Sequence, residues 1–180
     1  MRKVEKVEKV DNPIRIAASV NGEVDAPAEE VWELLTDFGG VQRWWPQDAP
    51  VPIDRVTLDG EHGTVPRTRD VVFTGGSVAE TLFLEDEKAM RIYYYLEDEG
   101  MAAIFGMPKS ITFNYMATTT VDRMPGDRSR MSFSSTFDIP ADADPTVCRE
   151  RNEATYHAIL GGFSKFFAIP ADQRPAPSYL

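Results

Sequence analysis

Cysteine is almost missing from this 180-residue chain, which has one, Cys148. A lone cysteine excludes an intramolecular disulfide framework and any cysteine-only zinc site, and it suits a reducing compartment. Histidine is nearly as scarce: His62 and His157 are too few for a histidine-rich catalytic metal centre. No apolar run approaches the roughly 18 residues of a membrane span. The start, MRKVEKVEKV, carries bases without the apolar stretch of a secretory signal. Bases are outnumbered, 19 against 29 acids, and the net charge of −10 lacks the basic face that nucleic acid demands. The sequence has no phosphate-binding P-loop, no Gly-x-Gly-x-x-Gly after a strand, no Gly-x-Ser-x-Gly elbow and no His-Glu-x-x-His. Its acidic runs at 85–87 and 97–99 lack the calcium-loop pattern and read as solvated turns. These absences leave a soluble, acidic, cytoplasmic protein with no cofactor, no metal and no nucleic-acid partner.

What is present is a chain 42% apolar and 11% aromatic, long enough for one domain with a real core or an internal cavity. Residues 1–12 read as a mobile arm and residues 169–180, broken by prolines, as a tail; the domain between spans 13–168. Residues 14–24 have the character of a strand. Asp25 and Pro27 then open a helix, and its Val31, Leu34, Leu35 and Phe38 recur at helical spacing. Gly39-Gly40 ends that helix, and a short turn leads to Trp44-Trp45-Pro46. A long β region follows, with strands at 51–58, 67–74, 77–84, 89–96, 111–121 and 129–139; Gly75-Gly76 marks a two-residue hairpin. Asp144-Pro145 opens a long helix to about residue 168, whose Tyr156, Leu160, Phe163 and Phe167 form one apolar face. Runs of strands rather than alternating strand–helix units predict an α+β fold. A curved antiparallel sheet with one long helix across its concave side leaves a space between them, and function is sought there.

The quoted elements resemble a known family. Asp25-Ala26-Pro27-Ala28-Glu29-Glu30-Val31-Trp32, with Leu35, Asp37-Phe38 and Trp44-Trp45-Pro46, is similar to the opening signature of the SRPBCC superfamily, and within it the polyketide cyclase/dehydrase and lipid-transport group. Gly63-Thr64-Val65-Pro66-Arg67-Thr68 resembles the group's Gly-x-Val-Arg-Thr strand, with Pro66 as an extra residue. Glu80-Thr81-Leu82, Tyr93-Tyr94-Tyr95, Asn114-Tyr115-Met116-Ala117-Thr118 and Ser132-Phe133-Ser134 follow in the group's order. The resemblance covers about residues 14–168. It implies the helix-grip (Bet v 1-like) fold, a curved antiparallel sheet around a long C-terminal helix with two short helices after strand 1. It also implies a ligand among sterols, phenolics, hormones and polyketides, which some members cyclise, dehydrate or condense. Fold alone does not select among these.

Alternation along strands sorts candidate site residues by face. Glu80 falls with Leu82 and Leu84, and a carboxylate on an apolar face is disfavoured as an anion unless paired. It is either a general acid or base tuned by burial, or half of a structural pair with Arg67 or Arg69 bracing the sheet. Tyr93 and Tyr95 share one face and Tyr94 takes the other, so an inward Tyr93/Tyr95 pair offers two phenols to a ligand. In the catalytic expectation Glu80 moves the proton, Tyr93 or Tyr95 assists, and Arg67 stabilises an oxyanion. Tyr115, Phe133, Leu82, Arg69, Tyr156 and Leu160 supply the wall. Of Trp44 and Trp45, one caps the mouth and the other covers core. His157, one residue off the Tyr156 stripe, is a boundary residue or a second acid/base group opposite Glu80. The apolar stretch 101–108, with Met101, Phe105, Met107 and Pro108, is either a lid over the ligand or a buried loop or homodimer contact. The expected ligand is a small hydrophobic, aromatic or polyketide-like molecule. Cofactor-independent acid/base chemistry (a cyclase, dehydratase or other lyase) stands against a non-catalytic carrier or sensor. A co-chaperone-like module is a third alternative.

Overall fold

The computed structural model describes residues 12–45, 52–105 and 113–179. Strand β1 (Ile14–Val24) is followed by helix α1 (Ala28–Thr36) and a 3-10 turn at Val41–Arg43. Strands β2 (Ile53–Asp59), β3 (Arg67–Phe73), β4 (Gly76–Asp86) and β5 (Arg91–Leu96) come next, then helix α2 (Asp98–Phe105). Strands β6 (Tyr115–Met124) and β7 (Arg128–Ile139) precede the long helix α3 (Pro145–Phe167), and a 3-10 turn at Ala171–Gln173 follows it. The seven strands form one sheet in the order β1-β7-β6-β5-β4-β3-β2, every neighbouring pair antiparallel. With α3 packed across β1 and β7, this is the helix-grip arrangement.

The inner face is set by alternation. Ile16, Ala18, Val20 and Val24 of β1 are buried with Tyr115, Ala117, Thr119 and Val121 of β6 and with Met131, Phe133, Ser135, Phe137 and Ile139 of β7. Helix α3 starts as its sequence dictates. The Asp144 side chain accepts from the backbone N–H groups of Thr146 (2.8 Å) and Val147 (3.3 Å), and Pro145 occupies the first turn. Its inward stripe is Cys148, Asn152, Tyr156, Leu160 and Phe163, seated against β1 so closely that a Cβ on Gly22 would lie 2.9 Å from Leu160. At α1 the expectation needs adjustment: Pro27 itself is the capping residue and no side chain caps the helix, so Asp25 does not serve there.

Three features depart from the sequence-based expectation. The β3–β4 hairpin pairs Phe73 with Gly76, so Thr74-Gly75 is its two-residue turn, with Gly75 at φ +101°. A β-bulge at Phe83 shifts the β4–β5 register, because Leu82 faces Tyr94 while Leu84 faces Tyr93. The bulge reverses the phase of the rest of β4: Leu84 turns outward to solvent and Glu85 turns inward. Finally, Asp98–Phe105 is helical, with Met101 and Ala102 buried, and Gly100 lets this helix approach β4. A Cβ at Gly100 would sit 2.9 Å from Val78 Cα.

The C-terminal stretch is docked rather than free. Arg43 donates to Pro175 O and to Asp37 Oδ2 (2.6 Å), and Ser178 donates to Asp37 through its backbone N–H (3.0 Å) and its hydroxyl. Arg174 reaches Glu30 and lies over the Phe167 ring, while Tyr179 stacks on His62 at 3.8 Å.

Candidate functional site

The residues that define a site on the concave face are phenols, and they are not the pair expected. On β5 the apolar neighbours Ile92 and Leu96 point inward, and Tyr94 shares their phase and is buried. Tyr93 and Tyr95 therefore point to the outer face. Tyr95 is 39% exposed and stacks on Phe83, and Tyr93 receives a hydrogen bond from Arg91. Neither lies where it would meet a ligand held inside, so their expected catalytic role is corrected to an outer-face position.

Inside, Tyr94 is joined by Tyr115 from β6 and Tyr156 from α3. The hydroxyls of Tyr115 and Tyr156 are hydrogen-bonded to one another at 2.8 Å. Asn152, one helical turn before Tyr156, donates its amide N–H to the Tyr115 hydroxyl at 2.9 Å, and Ser135 of β7 donates to Asn152 Oδ1 at 3.1 Å. Thr119 of β6 is buried on the same inner face. The walls are aromatic: Phe133 stacks on Tyr156 with ring centres 5.1 Å apart, and Phe137 on Tyr115 at 5.5 Å. Burial pushes all three phenols above the ordinary value of 10.0, because a buried phenolate would lose its water. The Glu80 charge raises Tyr94 and Tyr115 further, and Arg69 acts the opposite way on Tyr94. All three therefore stand as neutral hydrogen-bond donors at physiological pH.

The two arginines divide between two carboxylates. Arg69, opposite Glu80 in the β3–β4 ladder, donates both Nε (2.5 Å) and Nη2 to Glu80 Oε2. Its remaining Nη1 donates to Phe38 O at 3.2 Å, with the guanidinium 4.3 Å above the Phe38 ring. Arg67 is completely buried and pairs with Glu85, not Glu80, because the bulge at Phe83 brings Glu85 inward. Its Nη2 donates to Glu85 Oε2 (2.5 Å) and Thr36 O (3.1 Å) and its Nη1 to Thr64 O (2.6 Å). It thereby ties the end of α1 to β3 and β4, which replaces the expected role as an oxyanion stabiliser.

Of the remaining expected site residues, Leu82, Tyr115, Phe133, Tyr156 and Leu160 are all buried on the inner side. Trp44 is core, 4.8 Å from Phe163, and Trp45 is half-buried beside it at 6.1 Å. His157 is exposed on the solvent side of α3, which corrects its placement opposite Glu80: the inward stripe passes through Tyr156, one residue (about 100° of helix) away. Met107, Pro108 and the Phe105 side chain lie outside the described residues; Met101, from the same apolar segment, is core. Tyr94, Asn152, Ser135, Thr119 and Glu85 were not among the expected site residues. Two carried a signal: Asn152 extends the Tyr156–Leu160 stripe by one turn backward, and Ile92 and Leu96 fix the phase of Tyr94.

Residues 13–166 match the profile of the family described as polyketide cyclase / dehydrase and lipid transport. The chain belongs to this family. No match was found among curated proteins. Solved structures that it resembles include norcoclaurine synthase from Thalictrum flavum in complex with dopamine and hydroxybenzaldehyde, at 16% identity and TM-score 0.65 over 91% of each chain. An uncharacterised protein from Bacillus thuringiensis is similar at 20% identity and TM-score 0.66, over 86% of this chain and 100% of that one. A protein from Thermobifida fusca is similar at 24% identity and TM-score 0.62, over 82% and 90%. The family match places the chain in the SRPBCC superfamily, and these likenesses show the helix-grip fold. Among this family member's described residues, no helix is long and apolar enough to cross a membrane, and no cluster of three or more His, Cys, Asp or Glu side chains is placed to hold a metal ion.

Proposed function

We propose that the protein holds a small hydrophobic, aromatic or polyketide-like molecule between α3 and the concave face of the sheet, and that it carries this molecule rather than transforming it. The observation behind the carrier reading is the engagement of Glu80: both Nε and Nη2 of Arg69 converge on Glu80 Oε2. Held on one oxygen by two guanidinium nitrogens, the Glu80 carboxylate cannot turn to a ligand unless Arg69 lets go of a charge-assisted pair. The aromatic walls around Tyr94, Tyr115 and Tyr156 match an aromatic ligand, as does the likeness in fold to a synthase whose structure contains dopamine and hydroxybenzaldehyde. The alternative, cofactor-independent acid/base chemistry, would need Glu80 released from Arg69, with the buried Tyr94 and Tyr115 as neutral donors. Native mass spectrometry of the purified protein decides between them. A co-purifying aromatic ligand, offered again to fresh protein, is expected back at unchanged mass and unchanged chromatographic retention. Conversion to a new species that Glu80→Gln abolishes would refute the carrier reading.

A further inference from the structure

We infer that the bound molecule is electrically neutral and presents a hydrogen-bond-accepting oxygen, such as a ketone or quinone carbonyl on an apolar frame, and that carboxylates of the same shape are rejected. This deepens the ligand-holding reading above and rests on it. Charge carries the first half. The charged side chains that β3 and β4 turn inward are Arg67, Arg69, Glu80 and Glu85, and each guanidinium already has its own carboxylate. On the inner face of β5, β6 and β7 and on the α3 stripe the buried polar groups are Tyr94, Thr119, Tyr115, Ser129, Ser135, Asn152 and Tyr156, all uncharged. The charges on these faces of the described residues thus sum to zero: Arg67 Nε has no hydrogen-bond partner, but its guanidinium is matched by Glu85, so no cation without a carboxylate is left for an anionic ligand. A carboxylate there would be buried without a counter-ion, facing Glu80 and aromatic rings. An ammonium is disfavoured for the mirrored reason, because Glu80 serves it only if Arg69 lets go.

Proton arithmetic carries the second half. Asn152 donates to Tyr115, Ser135 donates to Asn152, and one of the Tyr115 and Tyr156 hydroxyls donates to the other. Each bond uses one proton, and the four side chains carry more protons than that network has bonds. The second N–H of Asn152 and the phenol proton outside the Tyr115–Tyr156 bond remain to donate. Burial keeps the phenols protonated, so the cluster offers donors rather than a negative acceptor. A carbonyl oxygen accepts from it; a hydrocarbon leaves it as it is.

Three probes of one shape test this on the full chain by equilibrium dialysis at pH 7.5: 2-acetylnaphthalene, 2-naphthoate and 2-ethylnaphthalene. The ketone is expected to bind at least about ten-fold more tightly than either of the others. Tyr156→Phe, with Asn152→Leu as a second variant, is expected to bring the ketone to within about two-fold of the ethyl compound while that compound's own affinity holds. That control shows the variant is folded and its apolar site intact. A naphthoate that binds as tightly as the ketone, or a ketone no better than the hydrocarbon, overturns the inference and leaves the ligand-holding reading standing. Binding of none of the three sinks the ligand-holding reading, and the inference with it.

Discussion

Arg67 gives the sharpest test of the site's electrostatics. Its side chain has no exposure, and among the described residues its one carboxylate partner is Glu85, whose side chain is 19% exposed. Removing one member of a buried pair costs about 3–5 kcal/mol because the other charge is left uncompensated. The exposure of Glu85 lets water reach the pair from one side and lowers the expected cost of Glu85→Gln to roughly 2–4 kcal/mol. The backbone carbonyls of Thr36 and Thr64 stay in place and still accept from the guanidinium, so the loss is one of charge and not of every hydrogen bond. For a chain of this size about 2–4 °C of melting temperature corresponds to each kcal/mol, which puts the drop at roughly 5–15 °C. Thermal unfolding followed by circular dichroism reads it directly. The double variant Arg67→Met/Glu85→Gln should recover part of the loss, since no unpaired cation remains. If Arg67 instead waits for an anion as an oxyanion stabiliser, Glu85→Gln frees it at little cost. A shift under about 2 °C would refute the structural assignment.

Other perturbations probe the remaining elements. Deleting residues 175–180 takes Pro175 from Arg43 and Ser178 from the buried Asp37, and should cost about 1–2 kcal/mol while far-UV dichroism stays native; an unchanged urea midpoint would mean that the strap contributes nothing. Gly100→Ala gains about 1 kcal/mol of helix propensity but brings a Cβ within 2.9 Å of the β4 backbone at Val78, so net destabilisation is expected, and a stabilised variant would disprove the close approach. The phenols of Tyr94, Tyr115 and Tyr156 have folded values raised above 10.0. Their protonated burial therefore supports the fold fully below that pH, and the support is lost as pH climbs through the folded values. In ultraviolet titration, Tyr94→Phe, Tyr115→Phe and Tyr156→Phe should each reduce the phenolate signal that appears with alkaline unfolding; a variant that instead removed signal from before unfolding would contradict the burial.

Where the sequence was legible, the reason is that periodicity and burial agree. On β6 and β7 every second residue is apolar or small, so Tyr115 and Phe133 are assigned to the interior by phase alone. The Asp144-Pro145 start and the Tyr156–Leu160–Phe163 stripe fix α3 just as directly. On β5 three consecutive tyrosines erase the alternation at the positions that matter, and only the flanking Ile92 and Leu96 decide between the faces. The bulge at Phe83 has no glycine or proline to announce it, yet it exchanges the faces of Leu84 and Glu85 and with them the partner of Arg67. Asn152 is polar, and a stripe drawn through apolar residues passes over it. The docking of residues 174–179 depends on Asp37, Arg43 and His62, more than a hundred positions away, which local composition cannot encode.

On the proposed carrier reading, one guanidinium separates holding a ligand from acting on it. The Glu80 charge acts on two of the buried phenols, Tyr94 and Tyr115, and Arg69 is what occupies its carboxylate. Arg69 is itself fixed from the other side, by Phe38 O and by the Phe38 ring beneath it. Phe38 follows Asp37, which is buried and clamped between Arg43 and Ser178. The C-terminal strap, the end of α1 and the charge state of the site are thus joined through contiguous contacts. A chain selected to move protons would gain from loosening this linkage. On the proposed reading each contact in it holds the carboxylate in a pair, and Tyr94, Tyr115 and Tyr156 stay neutral donors for a ligand's acceptor.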